Sequence, residues 1–286
     1  MSTDAEEHRR QSAQFWEEAA PGWVSRQELI RQFGAPVSRW MVGAIDPKPG
    51  QHILELAGGL GDTGLMAADL VAPVGKVVIS DQAEAMLNGA RERASSLGLA
   101  NVEFQVLNAE WIDLPVASVD AVLCRFGFML MADPLTALRE TRRVLRPGGR
   151  IALAVWDQPN LNPWALEATL ELVQRGLSKA PDSEGQTQPG PFALGEHSRL
   201  LSLMQDAGFI DPLIESVDVQ QRHPNFAEFW ETLLDISRNF HDAVLDRPEA
   251  EIAEIRQAIE RRLERFSASD GTLSIPGKAL LACASA

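Results

Sequence analysis

Two spacings of apolar residues alternate along this chain and divide it into regions. Over residues 5 to about 45, Phe15, Trp16, Trp23, Leu29, Ile30, Phe33, Val37 and Trp40 recur as one helical face would require. Pro21-Gly22 and the stretch from Gly34 to Pro36 interrupt that face, so the pattern predicts two or three short helices. The period then changes to short apolar runs at 53–57, 77–80, 102–107, 119–124 and 151–156, with helical pattern between most of them. Runs of this kind, separated by helices, are what a parallel sheet produces. The core is therefore expected to be a doubly wound α/β sheet.

Local signals punctuate the helices. Asp133-Pro134 puts an N-cap residue before a proline at the first helical position, and the helix through Leu145 is expected to stop at Pro147-Gly148-Gly149. A helix over 83–97 meets Gly98, where a left-handed residue is wanted. Residues 179–192, KAPDSEGQTQPGPF, are rich in turn formers and predict a flexible, lid-like loop. Farther on, 200–207 reads as a helix ended by Gly208, and 213–219 as a strand. Residues 225–266 read as helical, with Ile252, Ile255, Ile259, Leu263 and Phe266 on one stripe that suits a lobe helix or a dimer surface. The closing LSIPGKALLACAS reads as an edge strand pair or hairpin returning to the sheet.

Composition narrows the partners. The 286 residues, 45% hydrophobic and 23% charged, suffice for one sizeable core with a smaller appended lobe. Lys and Arg total 26 against 40 Asp and Glu, a formal charge of -14, and no basic run is visible, so neither nucleic acid nor membrane is an expected partner. Cys124 and Cys283 lie in apolar segments without Cys-x-x-Cys spacing, which argues against a zinc site or disulfide framework and fits a reducing cytoplasm. The polar start MSTDAEEHRRQ has no secretory character and no run is long enough to span a bilayer, so a cytoplasmic location is expected.

The chemistry begins at ELAGGLGDTG, residues 55–64, where Gly59, Gly61 and Gly64 form a G-x-G-x-x-G between a strand and a helix. Such a turn lets backbone approach a ligand, and the helix N-terminus behind it favours negative charge. A dinucleotide fits that geometry, but Glu55 and Asp62 flank the glycines, and two carboxylates would repel a pyrophosphate while attracting an ammonium and a sulfonium. Asp81, ending VVISD, can accept from both hydroxyls of a ribose, as an acid in NAD enzymes also does. Asn108-Ala109-Glu110, after the next run, can meet the edge of an adenine.

These motifs, together with FGFMLMADPLTALRETRRVLRPGGRIALAVW at 126–156, resemble the successive motifs of class I S-adenosylmethionine-dependent methyltransferases, and within them the ubiquinone/menaquinone C-methyltransferase type. The resemblance covers roughly residues 40 to 160. It implies a Rossmann-like seven-stranded sheet with an antiparallel last strand, S-adenosyl-L-methionine as cofactor and a small-molecule methyl acceptor. It also implies roles for residues. Ala57, Gly58, Gly59 and Gly61 would present backbone to the methionine part of the cofactor, and Glu55 would help hold its ammonium group. Asp81 would take the ribose hydroxyls, Gln82 and Met86 would lie by the adenine, Asn108 and Ala109 would meet its edge, and Arg125 or its backbone would close the site. Ala57 replaces a glycine of the commoner motif, which a methyl tolerates if φ is negative. Quinone C-methyltransferases carry an Arg-Asn pair where this chain has Met129 and Leu130, so a more apolar acceptor is expected.

Methyl transfer needs a base only if the acceptor atom is protonated, and His197, His223 and His241 are the candidates, none assigned as catalytic. No metal-ligand cluster is visible. Trp16, Trp23, Phe126, Trp156, Trp164, Phe226 and Trp230 suit either an acceptor pocket or helix packing, with Trp23, placed against the cofactor, and Phe126 the best candidates for the former. Arg139, Arg142 and Arg143 read as a solvated face. The expected organisation is an N-terminal helical lid segment over 1–45, a methyltransferase core over 46–224, a helical lid insertion over 225–268 and a final strand region over 269–286. An NAD-dependent oxidoreductase and a non-catalytic S-adenosylmethionine-binding protein are the alternatives, and a homodimer is compatible with the 252–266 stripe.

Overall fold

The computed structural model describes residues 3–178 and 188–286, so the expected loop lies outside the described residues over 179–187. Helices α1 (Thr3–Ser25) and α2 (Gln27–Ile45) come first, parted only at Arg26. The breaks expected at Pro21-Gly22 and 34–36 do not occur, because packing outweighs the local cost of proline. Pro21 and Pro36 lie inside the helices, α1 packs on two later helices, and α2 buries Val37, Met41, Val42 and Ile45. Gly34 and Gly22 are there for close approach. A Cβ on Gly34 would meet Arg125 Nη1 at 2.0 Å, and one on Gly22 would meet the Asp235 carbonyl oxygen at 1.9 Å.

The alternating unit follows as β1 (His52–Glu55), α3 (Asp62–Val71), β2 (Lys76–Asp81), α4 (Glu84–Ser96), β3 (Val102–Val106), β4 (Val119–Arg125), α5 (Pro134–Val144) and β5 (Leu145–Trp156). The Asp133 side chain caps α5 by accepting from the Thr136 N–H, and Gly98 takes φ +68 after α4. Then come α6 (Pro163–Gln174), α7 (His197–Asp206), β6 (Ile210–His223), α8 (Phe226–Ile236), α9 (Arg238–Leu245), α10 (Glu249–Leu263) and β7 (Leu273–Ser285). Helix α6 escaped the apolar pattern because its buried face includes Glu167 and Glu171, which pair with Arg175, Arg262 and Arg265.

The seven strands form one sheet in the order β3-β2-β1-β4-β5-β7-β6, with the neighbouring pairs among β1 to β5 parallel and β7 antiparallel to both its neighbours. The closing segment is neither a hairpin nor an edge: β7 is a single strand inserted between β5 and β6. A strand paired on both sides and covered on both faces reads as a continuous apolar run, as LLACA does. Pro276 is tolerated because pairing with β5 ends at Ala279, so its missing N–H faces no partner strand there. Beyond that point β6 and β7 continue as a two-stranded ribbon. A second apolar core, with Phe229, Trp230, Ile255, Ile259, Leu273 and Ile275, packs on it beneath α6, α8 and α10, separate from the core around the sheet.

Candidate cofactor and acceptor site

The glycine turn is tied to the strands on both sides of β1. Leu56 N–H donates to the Leu123 carbonyl and Gly58 N–H to the Ser80 carbonyl, both at 2.8 Å, and Gly61 N–H closes the turn on Gly58 at 2.8 Å. Gly59 and Gly61 take φ +53 and +78, as the turn requires. Gly58 and Gly64 are needed for space, since a Cβ on either would come within 3.0 and 2.3 Å of Glu55 Oε2. Ala57 departs from expectation: its φ is +49, so its methyl is carried in the left-handed region rather than avoided.

The charges around the turn also differ from the simple picture of two free carboxylates. Asp62 is clamped by Arg93 and Arg125, each at 2.6 Å, and these guanidiniums outweigh burial and hold its carboxyl below the usual range. Glu55 is 1% exposed, its Oε2 has no partner, and burial pushes it up to about 8 against the pull of Arg125. A neutral Glu55 with an orphaned oxygen beneath the turn suits an incoming cation or hydrogen-bond donor, which would draw it back to its charged form. The preference for a cation therefore rests on one buried acid, not on two exposed ones. Arg125 spends its guanidinium on Asp62 and, at 3.2 Å, on the Ser38 hydroxyl, so only its backbone is available to close the site.

Asp81, buried, accepts from Gly59 N–H at 2.9 Å and Ala83 N–H at 3.0 Å, and burial raises its pKa. The Gln82 N–H also acts on this carboxyl, and lone-pair capacity remains for a hydroxyl. Gln82 donates to the Ser12 hydroxyl at 2.7 Å, and Met86 is buried. Asn108 Oδ1 accepts from its own turn, the Glu110 N–H, at 2.8 Å, and Ala109 is buried beside it. Helix α1 lies across these residues. Arg9 donates twice to Glu110, at 2.5 and 2.9 Å; His8 meets the Leu130 carbonyl at 3.0 Å; Glu17 accepts from Ala85 N–H at 3.1 Å. Trp16 and Trp23 pack with Ala20 on Leu60, Ala83 and Met86. Trp23 thus touches the proposed adenine wall, while its N–H donates to the Ile236 carbonyl of α8 at 3.2 Å.

A second group of side chains gathers past the ends of β4 and β5. Phe126 stacks on Trp156 with centroids 3.9 Å apart, Phe33 stacks on the same indole at 5.5 Å, and Trp164 stands edge-on to it at 4.9 Å. Phe126 holds φ +61, an outlier for an aromatic residue and the kind of strain found where a side chain must be aimed. This group adjoins the glycine turn, because a Cβ on Gly127 would lie 2.6 Å from Ala57 Cβ. Phe33 and Trp164 come from remote segments and were not distinguishable from core in the sequence. Phe226 and Trp230 belong to the second core. Of the histidines, His197 is exposed and His241 pairs with Asp242, whereas His223 is buried. Arg142 and Arg143 bind the carbonyls of Gly208, Ile112 and Leu114 rather than only water. A surface groove of about 550 Å³ along α10 is lined by Trp230, Ile252 and Glu254 among others and includes no residue of the glycine turn or of the Phe126 group.

The profile of the ubiE/COQ5 methyltransferase family matches residues 38–170. The ubiquinone/menaquinone biosynthesis C-methyltransferase UbiE of Escherichia coli is 33% identical over 187 residues, 63% of this chain and 72% of the relative. The chain belongs to the ubiE/COQ5 methyltransferase family. Membership decides between the two ligands that the glycine turn allows: this family member is an S-adenosylmethionine-dependent methyltransferase. Solved structures agree on the fold. YcgJ of Bacillus subtilis superposes with a TM-score of 0.55 at 17% identity, covering 87% of this chain and 97% of that one. Phosphoethanolamine N-methyltransferase 2 of Haemonchus contortus, in complex with phosphomonomethylethanolamine and S-adenosylhomocysteine, gives 0.52 at 18% identity over 87% of this chain and 52% of that one. Among the described residues of this methyltransferase, no helix is long and apolar enough to cross a membrane.

Proposed function

We propose that this methyltransferase acts on a small, flat, largely apolar acceptor held against Phe126 and Trp156, with α1 and the α8–α10 helices as the two parts of a lid. The stacking of a strained Phe126 on Trp156, next to the glycine turn, carries this reading. The cofactor residues follow from the same geometry: backbone of 57–61, the free lone pairs of Asp81, the 108–109 turn, Met86 and Trp23 under α1, with Glu55 Oε2 toward the ammonium group. Bound S-adenosylmethionine would supply a sulfonium methyl for transfer to the acceptor's nucleophilic atom, with the thioether S-adenosylhomocysteine as the leaving group. The chain's own part is to hold that atom in line and exclude water, which can supply much of the acceleration. The lid parts are joined to one another by Trp23 to Ile236 and by Arg26 to Asp235 at 2.6 Å, so closing one helps hold the other.

The name of the Escherichia coli relative suggests carbon methylation of a quinone-type ring. Met129 and Leu130 argue for a different acceptor, since the Arg-Asn pair of such enzymes is absent and their carbonyls are engaged by Gly190 N–H and His8. Labelled methyl transfer to hydroquinones, phenols and aryl amines of matched size, with products identified by mass spectrometry, tests the acceptor class. Phe126→Ala is expected to lower kcat/KM for the acceptor at least about tenfold, roughly 1.4 kcal/mol, while S-adenosylhomocysteine affinity stays unchanged. A loss confined to cofactor affinity, or no loss, would return Phe126 to the core.

A further inference from the structure

Two side chains of β6 are buried with polar atoms that have no hydrogen-bond partner. Gln221 is 3% exposed and His223 1%, and Gln221 Oε1 and both ring nitrogens of His223 stand unpaired. An orphaned buried polar group bears its desolvation penalty uncompensated, so this pair is kept at a cost to stability. Residues two apart on a strand share a face, and Val219, Gln221 and His223 are the buried alternates of the ribbon. Their partners across the ribbon are Gly277, Ile275 and Leu273.

Gly277 locates that face relative to the aromatic group. A Cβ there would lie 3.0 Å from Val219 Cγ2 and 3.1 Å from both Trp164 Nε1 and Asn162 Oδ1. Trp164 leads to Trp156, and Trp156 to Phe126. The aromatic surface thus runs from the end of β4 to the start of the ribbon. Gln221 and His223 continue along the same face, roughly 7 and 13 Å beyond Val219 at about 3.3 Å per residue. The Phe229 ring stands edge-on to His223 at 5.4 Å and ends the run.

The chemistry of the pair selects its ligand. Burial, with the nearby Arg26 charge, lowers His223 to about 4, so its ring is neutral at physiological pH and offers one donor and one acceptor. Gln221 Oε1 adds an acceptor. No unpaired charge stands ready here for a carboxylate or an ammonium, since Arg26 is engaged by Asp235 at 2.6 Å and Glu228 at 3.3 Å. A hydroxyl both donates and accepts and satisfies the set. We infer that Gln221 and His223 bind a hydroxyl group of the acceptor, remote from the atom that is methylated, and so select an elongated apolar molecule with a polar far end. This rests on the acceptor reading above, and it makes the two residues determinants of specificity, not catalytic groups.

The test compares 4-phenylphenol with biphenyl as probes, titrated into protein saturated with S-adenosylhomocysteine and followed by tryptophan fluorescence. Wild-type protein is expected to bind the phenol at least about tenfold tighter, a factor ordinary for a desolvated hydrogen-bonded hydroxyl. Gln221→Leu with His223→Leu is expected to bring the ratio to about one, to leave S-adenosylhomocysteine affinity unchanged as evidence of folding, and to raise the melting temperature of the ligand-free chain. A ratio near one in the wild type, or a ratio the double variant does not change, would overturn the inference and leave the pair as a site for bound water. Phe126→Ala separates the two readings: if it weakens both probes while the ratio ignores Gln221 and His223, only the hydroxyl site fails. If neither probe binds, or neither responds to Phe126, the acceptor reading fails and the inference with it.

Discussion

Glu55 and His223 are alike in isolation and unlike in setting. Each is 1% exposed, each carries a polar atom without a partner, and burial drives each toward its neutral form, Glu55 up to about 8 and His223 down to about 4. Glu55 sits inside a contiguous motif: the two glycines that make room for it, Gly58 and Gly64, lie within ten residues of it. His223 sits where the end of β6 meets α8, facing Leu273 and Phe229 and near Arg26. The proposed cofactor side is thus built by local sequence and the proposed acceptor side by remote segments meeting, and only the first can be expected to carry a motif.

The largest effect that would sharpen this contrast belongs to Asp81. It joins the glycine turn to the end of β2 through the Gly59 and Ala83 amides, and it is the residue proposed above for the ribose. Asp81→Ala is expected to weaken S-adenosylhomocysteine about 100-fold in calorimetric titration, the value of about 3 kcal/mol of charge-assisted hydrogen bonding. Binding of 4-phenylphenol, on the other side, should change far less. Equal losses at both sites would mean that the two sides are one cooperative unit and would break the comparison.

A smaller effect distinguishes the two orphans by pH. Glu55 has a folded pKa of about 8 against 4.5, so the folded state holds more protons between those values and stability falls as pH rises from about 4.5 to about 8. Buried Asp81, also raised, adds to the same trend. His223 has a folded pKa of about 4 against 6.5, so the unfolded state holds more protons there and stability falls as pH drops from about 6.5 to about 4. Urea unfolding across pH 4 to 9 should show Glu55→Gln flattening the alkaline decline and His223→Leu the acidic one. A variant that leaves its own limb unchanged would show that its side chain finds a partner in solution.

The same division explains what the sequence made legible. The five parallel strands, the caps at Asp133 and Gly98, the glycine turn, Asp81 and the 108–110 turn were readable because periodicity and capping are local. Helix α6 was not, since Glu167 and Glu171 fill its buried face with charge that is compensated largely by Arg262 and Arg265, more than ninety residues away, beside the local Arg175. The insertion of β7 was missed because Pro276-Gly277 reads as a turn unless the end of β5 is known. His223 was one of three equal candidates, and nothing within its own segment reveals that Leu273, Phe229 and Arg26 surround it. The two free acids inferred at the turn failed for a related reason, as Arg93 and Arg125 reach Asp62 from 31 and 63 residues away.

The smallest effect concerns Ala57, where the local motif and the local backbone disagree. A left-handed conformation costs an L-residue roughly 1–2 kcal/mol, while glycine costs about 0.5–1 kcal/mol more in chain entropy, so Ala57→Gly should stabilise the protein by about 0.5 kcal/mol. In a domain of this size that is a rise of about 1–2 °C in Tm. The methyl group also fills space against Gly127, whose own φ of -93 would admit alanine. Space alone opposes Gly127→Ala, because the new Cβ would lie 2.6 Å from Ala57 Cβ and 2.7 Å from Cys124 Sγ, a crowding worth about 1–3 kcal/mol. Combining the two substitutions relieves the first contact and leaves the second. The double variant should therefore be more stable than the sum of the single changes, by a coupling of about 0.5–1 kcal/mol measured in urea. Strict additivity would show that the glycine turn and the start of the aromatic group do not touch in solution, and the contact that joins the cofactor side to the acceptor side would be lost with it.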